Sequence, residues 1–242
     1  MTFKKIISDH GADKNQKLYG GGFKVKFGTA ADLAHEYGTA YFLNKIMPWH
    51  LHRTYEVYSQ SLDKVSPDAP APYSLPFRIA PAAENEFEFL MRLRPGYYKR
   101  ELFEKRLALG HFCYLGWNGD QPIHIRWVFT KSVFVPYFKR RLVLAPGEVY
   151  VDEAFTAPSF RGNGIFFQAG KLLRQELKKM GFRRYICAYA SWNSIPIGLA
   201  EKSGLARAGE IQYWNFPWVR RVNLSDSVRD MGKGEIVVDA RS

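Results

Sequence analysis

The chain has 242 residues, 46% of them hydrophobic and 16% aromatic, with a formal net charge of +12 and a pI of about 9.6. That composition supports a packed core and excludes global disorder. The charge favours anionic partners such as phosphorylated cofactors, nucleic acid or an anionic membrane face, and a generally basic surface explains it equally well.

Cys113 and Cys187 form no C-x-x-C pair, which predicts two buried reduced thiols rather than a zinc or redox motif. The N-terminus, MTFKKIISDHGADK, lacks the apolar core of a signal peptide. No run approaches the roughly 18 apolar residues of a membrane span, so a cytoplasmic location is expected.

In chain order, 1–22 reads as a polar lead-in ending in three glycines, and Phe23 to Phe27 as a short strand. Thr29 to Met47 has helical spacing and stops at Pro48. Leu51 to Leu62 reads as a strand, followed by the proline-rich linker Val65 to Pro72. These residues, 1–72, are expected to form an N-terminal extension. A regular alternation follows over 73–224. It runs through a strand at Ser74 to Ala80, helices at Ala82 to Arg92 and Tyr97 to Ala108, and strands at His111 to Trp117 and Ile123 to Phe129 around the turn Asn118-Gly119-Asp120. Next come a strand at Val149 to Thr156, a helix from Ile165, a strand at Tyr185 to Ala190, a short helix at Ser194 to Lys202, and strands from Leu205 through Trp214 and at Val219 to Leu224. On the helix from Ile165, the apolar stripe includes Ala169, Leu173 and Leu177, and Arg174 is expected outside. The tail, 225–242, is polar. The order predicts an α/β fold with a mixed, mostly antiparallel central sheet flanked by helices.

The loop Phe160-Arg161-Gly162-Asn163-Gly164-Ile165 joins a strand to a helix start, where backbone N–H groups lack intrahelical partners. Amides of Gly162, Asn163, Gly164, Ile165 and Phe166 suit a pyrophosphate, and Arg161 suits its oxygens. A turn that uses glycine for geometry alone is the competing reading.

Arg161 and Gly164 match two fixed positions of an Arg/Gln-x-x-Gly-x-Gly/Ala signature, with Phe166 departing at the last. Pro158 and Phe160 precede it, and Asn193 and Glu201-Lys202-Ser203-Gly204-Leu205 follow. Over residues 73–224 this pattern resembles the GNAT superfamily of acetyl-CoA-dependent N-acetyltransferases. The resemblance implies acetyl-CoA as co-substrate and direct transfer to an amine, with the pantetheine and thioester oxygen on the backbone of Phe155 and Thr156. It implies that Asn193 contacts the cofactor arm; a helix N-cap role is open beside it. A tyrosine commonly sits before the Glu-Lys pair and protonates the leaving thiolate; here the position is Ala200.

An amine must be deprotonated before attack. Glu153 is the first candidate base and Asp152 the second. Alternation sets Glu153 on one face with Val149, Val151 and Phe155, where a carboxylate needs a task or a partner. An ion pair with an arginine is equally open. Tyr189, Ser191 and Tyr213 are candidate thiolate acids. His50 and His52 share one side of a strand, but no third ligand accompanies them and no metal is expected. Lys139-Arg140-Arg141 and Arg183-Arg184 read as solvated charge, and Arg220-Arg221 with Trp214, Phe216 and Trp218 as packed strand aromatics, since no specific nucleic-acid motif accompanies them. Transfer of longer acyl chains from acyl-CoA or acyl carrier protein, and a non-catalytic CoA-binding module, are the alternatives. A homodimer is left open.

Overall fold

The computed structural model describes residues 52–66, 76–94, 97–135, 140–216 and 219–225. The expected strand at 23–27, the helix at 29–47, His50, most of the proline-rich linker and the tail beyond 225 lie outside them. The chain forms two compact units, one of residues 1–54 with 212–223 and one of residues 55–211 with 224–242.

The elements run β1 (His52–Ser61), β2 (Arg78–Pro81), α1 (Phe87–Leu93), α2 (Arg100–Ala108), β3 (Phe112–Asn118), β4 (Gln121–Phe129), β5 (Ser132–Val135), β6 (Arg140–Val143), β7 (Glu148–Thr156), α3 (Ile165–Lys179), β8 (Arg184–Ala190), α4 (Ser194–Lys202), β9 (Ala206–Phe216) and β10 (Val219–Leu224). In the larger unit the sheet order is β9-β1-β8-β7-β4-β3-β2. The pairings β1–β8, β4–β7, β3–β4 and β2–β3 are antiparallel, and β7–β8 is parallel. The fold is a mixed, mostly antiparallel α/β sheet flanked by helices, as the element order predicts.

Two differences from the sequence reading matter. The strand assigned to the N-terminal extension enters the sheet: Tyr55 to Ser61 pair with Ala190 to Arg184 along the whole of β8. The sequence reading also lacks the separate hairpin β5–β6, in which Val133 faces Leu142.

Local chemistry explains the remaining elements. Between β3 and β4, Asn118 pairs with Gln121, which leaves a two-residue turn whose Gly119 has φ +56°. In α3, Ile165, Ala169, Leu173 and Leu177 recur every four residues and are all buried. Gly181 ends that helix at φ +86°, and the Phe182 N–H reaches back to the Leu177 carbonyl at 3.0 Å.

The sheet is covered on both sides. Leu173 and Leu177 of α3 and Ala200 of α4 join Val128, Val149, Val151, Tyr185 and Cys187 in one buried cluster. On the other side Phe103 of α2 meets Phe87 at 5.4 Å and Trp127 at 5.7 Å. In the smaller unit His52 packs on Trp214 at 3.8 Å, and burial lowers its pKa.

Candidate functional site

The site begins where β7 and β8 part. Their parallel ladder holds three register pairs, Glu148–Arg184, Val149–Tyr185 and Tyr150–Ile186. Beyond Tyr150, β7 continues to Thr156 and β8 to Ala190 without pairing to each other. Because β8 stays paired to β1 throughout, the opening lies between β7 and β8 alone. Its closed end is tied: Arg184 Nη1 lies 3.3 Å from the buried Glu148 carboxylate, and the Arg183 and Arg184 N–H groups donate to the Gly147 carbonyl.

A β-bulge shapes the other side of β7. Ile125 faces Phe155 while Trp127 faces Asp152, so Glu153 and Ala154 together oppose Arg126. Glu153 sits at φ +52°, a costly conformation for a residue with a Cβ. This corrects the expected alternation. The extra residue puts Phe155 on the face of Asp152 and Tyr150, not on that of Val149 and Val151. The Glu153 carboxylate turns instead to Arg106, accepting from Nη2 at 2.6 Å and from Nη1 at 3.0 Å. The Arg106 guanidinium lies over the rings of Trp127 and Phe129. The Asp152 carboxylate accepts the Glu153 N–H at 2.7 Å.

The glycine loop closes the open end. Pro158–Phe160 form one 3₁₀ turn, then Gly162 and Gly164 take φ +82° and +69°. A side chain at Gly162 would meet nothing within 4 Å, so open space faces it. Gly164 is the N-cap of α3, and no side chain caps the helix start. Unfilled N–H groups in the first turn and a positive dipole end suit a phosphate oxygen there. Arg161 is held beside the loop, donating from Nε to the Thr156 carbonyl at 3.1 Å with its guanidinium 5.5 Å from the Phe155 ring. The Asn163 side chain folds back on the loop, 3.4 Å from the carbonyls of Phe160 and Arg161.

The end of β7 presents polar groups to the opening. The Ala157 N–H donates to the Ile123 carbonyl of β4. Alternation then aims the Phe155 N–H at β4 and the Thr156 N–H at the open side. Of the two residues assigned to the thioester, Thr156 is thus the one whose amide faces the cleft. Its hydroxyl lies 2.8 Å from His124 Nδ1, and Arg126 Nε donates to His124 Nε2 at 3.0 Å. Because a guanidinium can only donate, His124 Nε2 accepts and Nδ1 carries the proton that Thr156 Oγ1 receives. Burial, then the Arg126 charge, hold the His124 pKa well below the usual histidine range.

Tyr189 lies beside this chain. Burial pushes its hydroxyl well above the usual tyrosine range. Asn193 stands at the N-cap of α4 but makes no side-chain cap bond, and its N–H donates to the Ala190 carbonyl at 2.8 Å. Tyr213 belongs to the smaller unit, where Arg53 lies 5.5 Å from its ring centroid. Glu201 of the Glu-Lys-x-Gly block accepts the Tyr58 hydroxyl at 2.9 Å, which anchors α4 to β1. Ala200 is buried in the core, and Gly204 reverses the chain at φ +78°.

Sequence reasoning missed Arg106, His124, Arg126 and Arg174. Arg174, expected on the outer face of α3, is 5% exposed; Arg126 is 3% exposed. The available signal was Gly170, a glycine inside a strong helix-forming run that costs about 1 kcal/mol relative to alanine. It leaves the room that both guanidiniums use, since a Cβ there would lie 3.0 Å from Arg126 Nη1 and 3.3 Å from Arg174 Nη1.

No family model and no curated protein matches this chain. Among solved structures it is similar to acetyltransferases of the GNAT family. An aminoglycoside acetyltransferase from an uncultured soil metagenomic sample is 13% identical, covering 52% of this chain and 86% of its own, at a TM-score of 0.41. The aminoglycoside 6'-N-acetyltransferase of Acinetobacter baumannii is 14% identical, covering 55% and 92%, at 0.41. A GCN5-related N-acetyltransferase of Sphaerobacter thermophilus is 14% identical at 0.45, covering 70% of this chain and 54% of its own.

Proposed function

We propose that this chain is an N-acyltransferase that uses acetyl-CoA and passes the acetyl group directly to a primary amine of a small molecule or amino sugar. The observation that carries this reading is the opening between β7 and β8, which starts after three register pairs and ends at a glycine loop and an uncapped helix start. The residues fit a slender anionic cofactor. Open space lies at Gly162, the first turn of α3 is uncapped, and alternation turns the Thr156 amide toward the opening.

When bound, acetyl-CoA supplies the activated acyl group. Gly162, Asn163, Gly164, Ile165 and Phe166 offer backbone N–H groups to its pyrophosphate, and Arg161 and Asn193 steady its arm. Phe155 lines the path, and the Thr156 N–H polarises the thioester oxygen. Glu153 is the first candidate to take the amine's proton through a water, with Asp152 next to it and Tyr189 a hydrogen-bond donor across the cleft. Arg106 engages both Glu153 oxygens, so only their remaining lone pairs serve as base.

Calorimetric titration with acetyl-CoA, longer acyl-CoAs and acyl carrier protein, followed by thiol release with a panel of amines, tests the reading. Acetyl-CoA should bind, and one amine class should release thiol. Binding of none of these donors overturns the reading. Gly164→Glu should abolish donor binding while the circular dichroism spectrum is unchanged; unaltered affinity would remove the loop assignment.

A further inference from the structure

Arg126 of β4 and Arg174 of α3 reach into one small cleft, lined also by Phe166, Tyr185 and Tyr189. Among the described residues every hydrogen-bond partner they have is neutral. Arg126 donates to His124 Nε2, to the Tyr185 hydroxyl at 3.3 Å and to the Phe166 carbonyl. Arg174 Nη2 donates to the Ser203 carbonyl at 3.3 Å, while its buried Nε has no partner. Among the described residues neither guanidinium forms an ion pair with a carboxylate. Buried arginines ordinarily pair with acids, because an uncompensated charge out of water is strongly unfavourable. Here two like charges share one space, and Gly170 keeps that space clear. The cleft is a built cationic pocket, with two buried guanidiniums and no described carboxylate beside them.

Its place in the sheet indicates which anion. Tyr185 pairs with Val149 inside the closed ladder, while Tyr189 lies on the part of β8 that has left β7. Arg126 opposes the bulge residues Glu153 and Ala154, and through His124 it contacts Thr156 at the mouth. The pocket therefore flanks the opening between its apex at Tyr150 and the end of β7 at Thr156, which Arg126 reaches through His124.

We infer that Arg126 and Arg174 hold the negative charge of the departing thiolate in the proposed transfer. This rests on the acyl-CoA reading. The amine nitrogen bonds to the carbonyl carbon, the carbon–sulfur bond breaks with its electron pair on sulfur, and the amine's surplus proton passes through water to the base. Sulfur leaves as an anion balanced by the two guanidiniums, so no protein acid is needed. The neighbouring side chains agree with this division of labour. Burial pushes the Tyr185 hydroxyl up to about 12 and Tyr189 well above the tyrosine range, so both keep their protons. Ala200 contributes a buried methyl group where an acid is absent.

The test uses CoA carrying a free thiol, bound to the full chain, with thiolate ultraviolet absorbance followed against pH. The bound thiol should ionise at least about one pH unit below that of free CoA. Arg174→Met should return the value to that of free CoA with CoA still bound, and Arg174→Lys should keep part of the shift. Arg174→Met should also unfold at the same or a higher urea concentration, because it removes a buried unpaired charge. CoA that binds wild type with an unshifted thiol overturns the inference and leaves the acyl-CoA reading standing, as does a shift that survives in Arg174→Met. Failure of CoA to bind at all removes the acyl-CoA reading, and the inference with it.

Discussion

Replacing Glu153 by alanine and by glycine tests the bulge and its ion pair together. The pair with Arg106 is mostly buried, with side chains 17% and 12% exposed and a shortest contact of 2.6 Å. Removing one partner of a buried pair costs about 3–5 kcal/mol, and the residual exposure here places the loss near the lower figure, about 3 kcal/mol. Glu153 also sits at φ +52°, where a residue with a Cβ carries about 1 kcal/mol of strain that glycine lacks. Glu153→Ala should thus lose about 3 kcal/mol and Glu153→Gly about 2 kcal/mol. Urea unfolding at pH 7 measures both, read as a shift in midpoint at constant slope. An alanine variant as stable as the glycine variant, or more so, refutes the strained bulge. Two variants within about 0.5 kcal/mol of wild type refute the ion pair as a structural element.

Two further outcomes follow from buried titratable groups. His124 is neutral in the folded chain because burial and then Arg126 depress its pKa, whereas an unfolded histidine titrates near 6.5. Its contribution to stability is therefore complete above that pH and is lost as pH falls below it, at up to about 1.4 kcal/mol per pH unit. His111, also depressed, first by burial and then by Arg106 and Lys131, adds in the same direction. Urea midpoints at pH 7 and pH 5 should fall less in His124→Gln than in wild type, and equal slopes would exclude His124 as the titrating group. Cys113 and Cys187 are both free and buried, and burial raises the Cys187 thiol to about 12. A thiol reagent should label neither in the native chain and both in urea; rapid native labelling would contradict their packing.

The sequence carried the parts of the fold that have local signatures. Asn118-Gly119-Asp120 marks the β3–β4 hairpin, and the four-residue stripe from Ile165 marks α3. The glycines at 162, 164, 181 and 204 stand where the backbone takes positive φ. The bulge left no such mark. Glu153 occupies a left-handed position without being glycine or asparagine, so period-two counting assigned it to the wrong face. Arg174 was misread because a basic residue beside a helix stripe is usually solvated; its burial depends on Gly170 and on Arg126, 48 positions earlier in the chain. The place of β1 beside β8 is a long-range pairing across more than a hundred residues, and no local pattern encodes it. Hairpin β5–β6 consists of two four-residue strands, Ser132–Val135 and Arg140–Val143, too short to carry a period-two signature.

The half of β7 beyond Tyr150 is a sheet edge hidden inside a sheet. An exposed edge is ordinarily a hazard, because any extended chain can add to it. Here β8 stands alongside, fixed to β1, and the tie between Glu148 and Arg184 holds the far end shut. Under the acyl-CoA reading proposed above, the unpaired edge is kept for an amide-bearing guest that lies along one strand without continuing the sheet.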